Sequence, residues 1–179
     1  MHQILNKIIY AFIAILCASC TANINPHDFS TADINLPNLL VKPSTSISVE
    51  PHLVDTKERA IPLVGFNIVV NENEFTKVLT TKIQDSLKSK NIAIDPSSNK
   101  VIKIQVSRVS LQPDMVMNCV IDYNLKLGNG LFYGFQTRSK NWNFKTACEK
   151  ALKNAVNEIL NNQSMVKYIK ENSSHHFFN

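Results

Sequence analysis

The clearest hydrophobic pattern in the chain runs over residues 117–127. Met117, Cys119, Ile121, Tyr123, Leu125 and Leu127 alternate with Asn118, Asp122, Asn124 and Lys126, and only Val120 breaks the rhythm. Successive side chains of a strand point to opposite faces, so this stretch predicts a strand with one buried and one wet face, as in an antiparallel sheet covered on one side. Gly128-Asn129-Gly130 follows and accepts the positive φ angles of a tight hairpin. Residues 131–138 are then the returning strand. Before it, Ile102, Ile104 and Val106 share one face, and Val109 and Leu111 continue on the opposite parity. That phase slip predicts a bulge near Ser107-Arg108. Residues 46–54 carry Ile47 and Val49 in alternation and predict a further strand. Residues 55–60 read as a charged loop, 62–70 as a short extended segment, and 92–94 as another.

Two stretches switch to helical spacing. In residues 71–90, Phe75, Val78, Leu79, Ile83 and Leu87 form one apolar stripe, with Lys77, Lys82, Gln84 and Lys88 placed elsewhere. Asn71 or Asn73 suits the N-cap and Asn91 a left-handed end. Over residues 146–161, Cys148, Leu152, Ala155, Val156, Ile159 and Leu160 make a second stripe, with Thr146 and Glu149 spaced as a capping box. A short helix is expected over 164–171, and residues 172–179 read as a frayed tail. The elements predict an α+β domain over residues 46–171: an antiparallel four-stranded sheet, two main helices packed on one face, and a short C-terminal helix.

The N-terminal part follows a different logic. Lys7 is the only charged residue before an uncharged apolar run over residues 8–16. That run is too short for a bilayer, which needs about 20 residues, and has the length of a secretion-signal core. Ala18 and Ser19 are small, and Cys20 follows. This resembles the lipobox of bacterial lipoproteins, with Cys17 where that motif prefers Leu. The resemblance implies a signal peptide over 1–19, cleavage before Cys20, and acylation there. Two or three acyl chains anchor firmly, at roughly 0.8 kcal/mol per buried CH₂. Thr21 rather than Asp follows Cys20, which by resemblance to enteric lipoproteins implies the periplasmic face of the outer membrane. An ordinary secretory signal without lipid is the alternative. Residues 20–45, with Pro26, Pro37 and Pro43, read as an extended tether that reaches roughly 80 Å at about 3.1 Å per residue. The apolar patches 32–36 and 38–41 within it are candidates for docking on the domain.

Composition narrows this picture. Of the 179 residues, 44% are hydrophobic and 18% charged, enough for a core. Removing Lys7 with the leader leaves 18 basic and 14 acidic side chains, a net charge of +4. No run of five basic residues exists, so nucleic acid is not an expected partner. Of the four cysteines, Cys119 and Cys148 fall in the domain, without the CxxC spacing of a zinc or redox site. The periplasm is oxidising, so they are a candidate disulfide. Helix and sheet usually pack about 10 Å apart, beyond the roughly 7 Å that a disulfide spans between Cα atoms, which favours two free buried thiols.

The segments VDTKERAIPLVG (54–65) and ALKNAVNEILNNQSMVKYIKEN (151–172) carry a wider resemblance. The second has an apolar-striped helix, a polar break and a short terminal helix. The first places Asp55 and Arg59 before a glycine-containing segment. Together with the order of elements, these resemble the YajG-type family of uncharacterised bacterial lipoproteins. The architecture is also similar to the lipopolysaccharide-assembly lipoprotein fold. The family implies an outer-membrane lipoprotein and no known activity.

No catalytic set is legible. Beyond the leader the histidines are His27, His52, His175 and His176, and none has helical ligand spacing, so no metal or cofactor is expected. Asp55, Asp122 and Glu149 are available carboxylates without a readable pairing. Asp55 and Arg59 are a candidate binding loop, against a solvated loop with a weak ion pair. Tyr133, Phe135, Trp142 and Phe144 form either an exposed partner patch or core. The expected function is a non-catalytic, tethered adaptor or assembly factor of the envelope, with the membrane and an envelope protein as partners. The alternative is a small-ligand carrier with a pocket between helices and sheet, lined by Phe75, Tyr123, Tyr133 and Phe135.

Overall fold

A computed structural model describes residues 21–30, 45–55, 58–63, 66–113 and 115–171. The leader 1–19 and Cys20, the patches at 32–36 and 38–41, and the tail with His175 and His176 lie outside the described residues.

The domain is α+β, with a five-stranded and a three-stranded sheet, both mixed. Strands β1 (Thr21–Asn23), β3 (Arg59–Leu63) and β4 (Phe66–Val70) form the small sheet in the order β1-β4-β3. The large sheet has the order β5-β2-β6-β7-β8, from β2 (Ser46–Pro51), β5 (Ala93–Ile94), β6 (Val101–Pro113), β7 (Met117–Leu127) and β8 (Phe132–Asn141). Helices α1 (Glu72–Lys88), α2 (Phe144–Asn161) and α3 (Gln163–Lys170) complete it.

The antiparallel part of the large sheet follows the alternation. Cys119, Ile121, Tyr123, Leu125 and Leu127 of β7 are buried, and β6 and β8 flank β7 in antiparallel register. The register slips between Val106 and Arg108, so Val106 and Val109 are both buried, the bulge expected from the change of parity. Gly130 sits at φ +88°, and the Leu127 N–H donates to the Leu131 carbonyl across the turn.

The expected all-antiparallel, four-stranded sheet is corrected at β2. It runs parallel to β6, Ser48 opposite Val101 through Pro51 opposite Ile104, and parallel to β5 at the edge. A helix separates β2 from β6, and such a crossover returns the chain in the same direction. The small sheet is a second correction. Residues 59–63 and 66–70 form an antiparallel hairpin, and β3 is an edge strand that tolerates Pro62.

The start of the expected tether is also folded. Thr21, Ala22 and Asn23 pair with Asn67, Ile68 and Val69 of β4. A short 3-10 helix, Pro26–Asp28, follows, and Ile24 and Phe29 are buried in the core. The Phe29 ring packs edge-on against Phe75 at 5.9 Å. Two apolar side chains thus hold a proline-containing stretch on the domain. Lys82, off the apolar stripe of α1, lies beneath this segment and donates to the carbonyls of Phe29 and Ser30 at 3.3 and 3.2 Å.

Each helix begins on an asparagine. Asn71 accepts from Asn73 N and Glu74 N, Asn143 from Lys145 N and Thr146 N, and Asn162 from Met165 N. The capping box expected at Thr146 and Glu149 is therefore replaced by Asn143, three residues before the expected start at Thr146. Asn91 takes φ +60° after α1, and the Ile92 N–H returns to the Leu87 carbonyl. Ala147, Ala151 and Ala155 are fully buried and let α2 lie close on β7 and β8. Tyr168 of α3 ties the far end: its hydroxyl accepts from Val101 N at 3.0 Å and donates to Val101 O at 3.3 Å. A Cβ at Gly128 would fall 2.7 Å from that hydroxyl, so a side chain there would have to displace Tyr168.

Candidate functional site

Helices α1 and α2 cover one face of the large sheet, and the opposite face carries the polar half of each alternation. Register arranges that polar half in rows. In one row Glu50, Lys103, Lys126 and Phe132 stand side by side on β2, β6, β7 and β8. In the next, Gln105 faces Asn124, which faces Gly134. His52, just past β2, joins this row, because its N–H donates to the Ile104 carbonyl at 2.7 Å. The third row, Arg108, Asp122 and Gln136, closes on itself through a 2.7 Å bond from Gln136 Nε2 to Asp122 Oδ1.

The first two rows bound an open groove of about 470 Å³, lined by His52, Lys103, Gln105, Asn124, Lys126, Gly130 and Phe132. Gly134 lacks a side chain, which lowers the wall beside Asn124. Phe132 is 62% exposed at the rim. Lys103 reaches Glu50 at 3.7 Å, and Glu50 also accepts from Ser48 Oγ. Lys126 has no ion pair among the described residues. The groove is thus cationic on one side, amide-lined on the other, with an aromatic at its rim. Hydrogen-bond donors dominate it, so it suits an anion or a polar surface.

The expected candidates lie elsewhere. Arg59 does not face Asp55. Its guanidinium donates to Glu72 Oε1, 2.9 Å from Nη2 and 3.3 Å from Nε, and also to the Val109 carbonyl. Glu72 is buried at the start of α1, so Arg59 ties the small sheet to that helix and to β6. The binding-loop expectation for Asp55 and Arg59 becomes a structural clamp on Arg59, with Asp55 exposed.

The carboxylates are separated. Asp122 lies on the open face with Gln136, Glu149 on α2 accepts from Ser30 N at 2.8 Å, and Asp55 follows β2. Among the described residues no group of three His, Cys, Asp or Glu is placed to hold a metal. His27 meets Glu74 at 2.8 Å, and Lys77 followed by His27 holds the Glu74 carboxyl below its ordinary range. Burial lowers the Lys100 ammonium, which donates to the Ile169 carbonyl at 2.9 Å and to that of Glu171.

The cysteines meet: Cys119 and Cys148 are bonded, with Cα atoms 5.0 Å apart. The expectation of free thiols is corrected because it took the average helix–sheet spacing. Cys148 sits where α2 enters over β7, on a helix face of alanines that permits closer approach. The aromatics divide. Phe135 stacks on buried Tyr123 at 5.3 Å, Tyr133 and Phe144 pack partly against the core, and Trp142 is 82% exposed.

The groove residues were absent from the expected sites. Their signal was the wet half of the strand alternation, which names Asn124 and Lys126 but not the partner row on β6. Among the described residues no helix is long and apolar enough to cross a membrane.

No family model matches the chain, and no curated protein matches it. Among solved structures it is similar to protein XCC0632 from Xanthomonas campestris, described as family-model DUF330. The TM-score is 0.49 at 14% identity, covering 79% of this chain and 90% of that one.

Proposed function

We propose that this protein is a non-catalytic lipoprotein of the outer membrane, acylated at Cys20 and facing the periplasm, and that it acts as an adaptor or assembly factor of the envelope through its open sheet face. The observation that carries the reading is the asymmetry of the large sheet. One face is sealed by α1 and α2, and the other presents a polar, cationic groove. A sheet face of this kind offers a partner a broad surface without catalytic geometry.

The anchor fits the same reading in a specific way. Thr21, the residue after Cys20, is already paired with Asn67. Acyl groups on Cys20 would hold the small sheet directly against the bilayer, with no free tether before the fold. The carrier alternative loses its lining: Phe75 and Tyr123 are fully buried as core, and Phe135 is stacked on Tyr123.

Photo-crosslinking in cells tests the reading. A benzoylphenylalanine at Gln105 or Asn124 on the open face, with Asn154 on α2 as control, should capture a reproducible envelope component from the sheet face only. Capture of nothing from Gln105 and Asn124, or equal capture from Asn154, would contradict it.

A further inference from the structure

We infer that the Lys103–Lys126 pair is a binding site for a phosphoryl group carried on a small ester. The inference rests on the open-face reading above and names the chemistry that the face recognises.

Lys103 and Lys126 are direct partners in the β6–β7 register. Side chains opposite one another on adjacent strands have Cβ atoms about 5 Å apart, and like charges there are unfavourable. Sheets normally relieve such a pair with an acid in the next row or the next strand. Here Glu50 serves Lys103 from its far side at 3.7 Å, and the neighbouring acid, Asp122, is held by Gln136. On its other side Lys126 meets Phe132, which brings no charge. The pair therefore carries net positive charge into an open groove. An anion with two charged oxygens is the partner that removes the repulsion while satisfying both ammonium groups.

The surroundings favour phosphoryl over a bare ion. Gln105 and Asn124, one row along, supply amide donors, and neither has a side-chain hydrogen bond among the described residues. Gly134 leaves that row open on the β8 side. Phe132 offers an apolar face beside Lys126, against which the body of an ester can lie. The volume of about 470 Å³ exceeds what a bare phosphate fills. A glycerol phosphate has this chemistry, whether free in solution or as the headgroup of a lipid.

The test is calorimetric titration of the full chain with three probes: sn-glycerol 3-phosphate, dihexanoyl-phosphatidylglycerol, and dihexanoyl-phosphatidylcholine as a control without net charge. One or both of the first two should bind more tightly than the control, and added salt should weaken them. Binding of the glycerol phosphate identifies a soluble ester, and binding of the phosphatidylglycerol alone identifies a lipid headgroup. K126Q and K103Q should each weaken binding by about tenfold without lowering the melting temperature, since both side chains are exposed and K126Q relieves the repulsion. Absence of binding by both phosphate probes, or binding that K126Q leaves intact, would overturn the inference. That failure would leave capture of a protein from Gln105 or Asn124 unaffected, so the two readings fail separately.

Discussion

Cys119 of β7 and Cys148 of α2 are joined by a disulfide, 29 positions apart in the sequence and with Cα atoms 5.0 Å apart. The bond staples the second helix to the central antiparallel strand and closes a loop containing all of β8. Closing a loop of this size removes conformational freedom from the unfolded chain, worth about 3.6 kcal/mol. The paired substitution Cys119→Ala and Cys148→Ala should lower the urea unfolding free energy by about that amount. Denatured, unreduced protein should show no free thiol from these two positions.

The Arg59–Glu72 clamp makes a second prediction. Removing the guanidinium leaves a buried carboxylate and the Val109 carbonyl without their donor. Arg59 itself is 40% exposed, so water partly compensates. R59A should cost about 1–3 kcal/mol in chemical denaturation. R59K should recover only part of it, because an ammonium cannot reproduce the two-nitrogen contact. D55A should change stability by less than about 0.5 kcal/mol.

Asn143 caps α2. N143A should destabilise by about 1 kcal/mol, and N143D should be close to neutral, since either side chain offers an oxygen to the Lys145 and Thr146 N–H groups. T146A should stay within about 0.5 kcal/mol. The reverse order would restore Thr146 as the cap.

Tyr123 controls part of the alkaline stability. Burial first, and then its 2.7 Å bond to Glu158 Oε2, raise its phenol well above the ordinary value of 10.0. The unfolded chain loses this proton above about pH 10, whereas the folded chain keeps it. The unfolded state then binds fewer protons, so stability falls as pH rises past 10. Lys82 and Lys100, lowered by burial, slope the other way. Comparison with Y123F cancels their contribution. The variant should lose less stability than the parent between pH 9.5 and 11, read by urea unfolding at each pH.

Legibility from sequence followed the range of the forces involved. The β7 strand, the turn at Gly128–Gly130 and the bulge near Ser107 were legible because alternation and turn chemistry are local. The helix stripes were legible for the same reason, although Trp142 and Phe144 on either side concealed Asn143 as a cap. The parallel seating of β2 was not legible, since Ile47 and Val49 state that a strand has a buried face and not which neighbour it takes. The small sheet was only partly visible: residues 62–70 read as extended without an assigned neighbour, the charged run 55–60 read as a loop, Pro26 argued for a tether, and the pairing of Thr21–Asn23 with β4 joins residues more than forty positions apart. The groove was half visible. Asn124 and Lys126 belong to the wet face of β7, but the Lys103–Lys126 opposition exists only once the register of β6 is set. Arg59 stood out by its charge, and its partner Glu72 looked like an ordinary first-turn acid.

Mass spectrometry of the N-terminal peptide from protein purified out of cell membranes tests the central claim most directly. The account predicts a peptide that begins at Cys20, continues into Thr21-Ala22-Asn23, and carries the mass of a diacylglycerol thioether on the cysteine. A mature peptide bare of acyl mass, or one that retains the residues before Cys20, would contradict it.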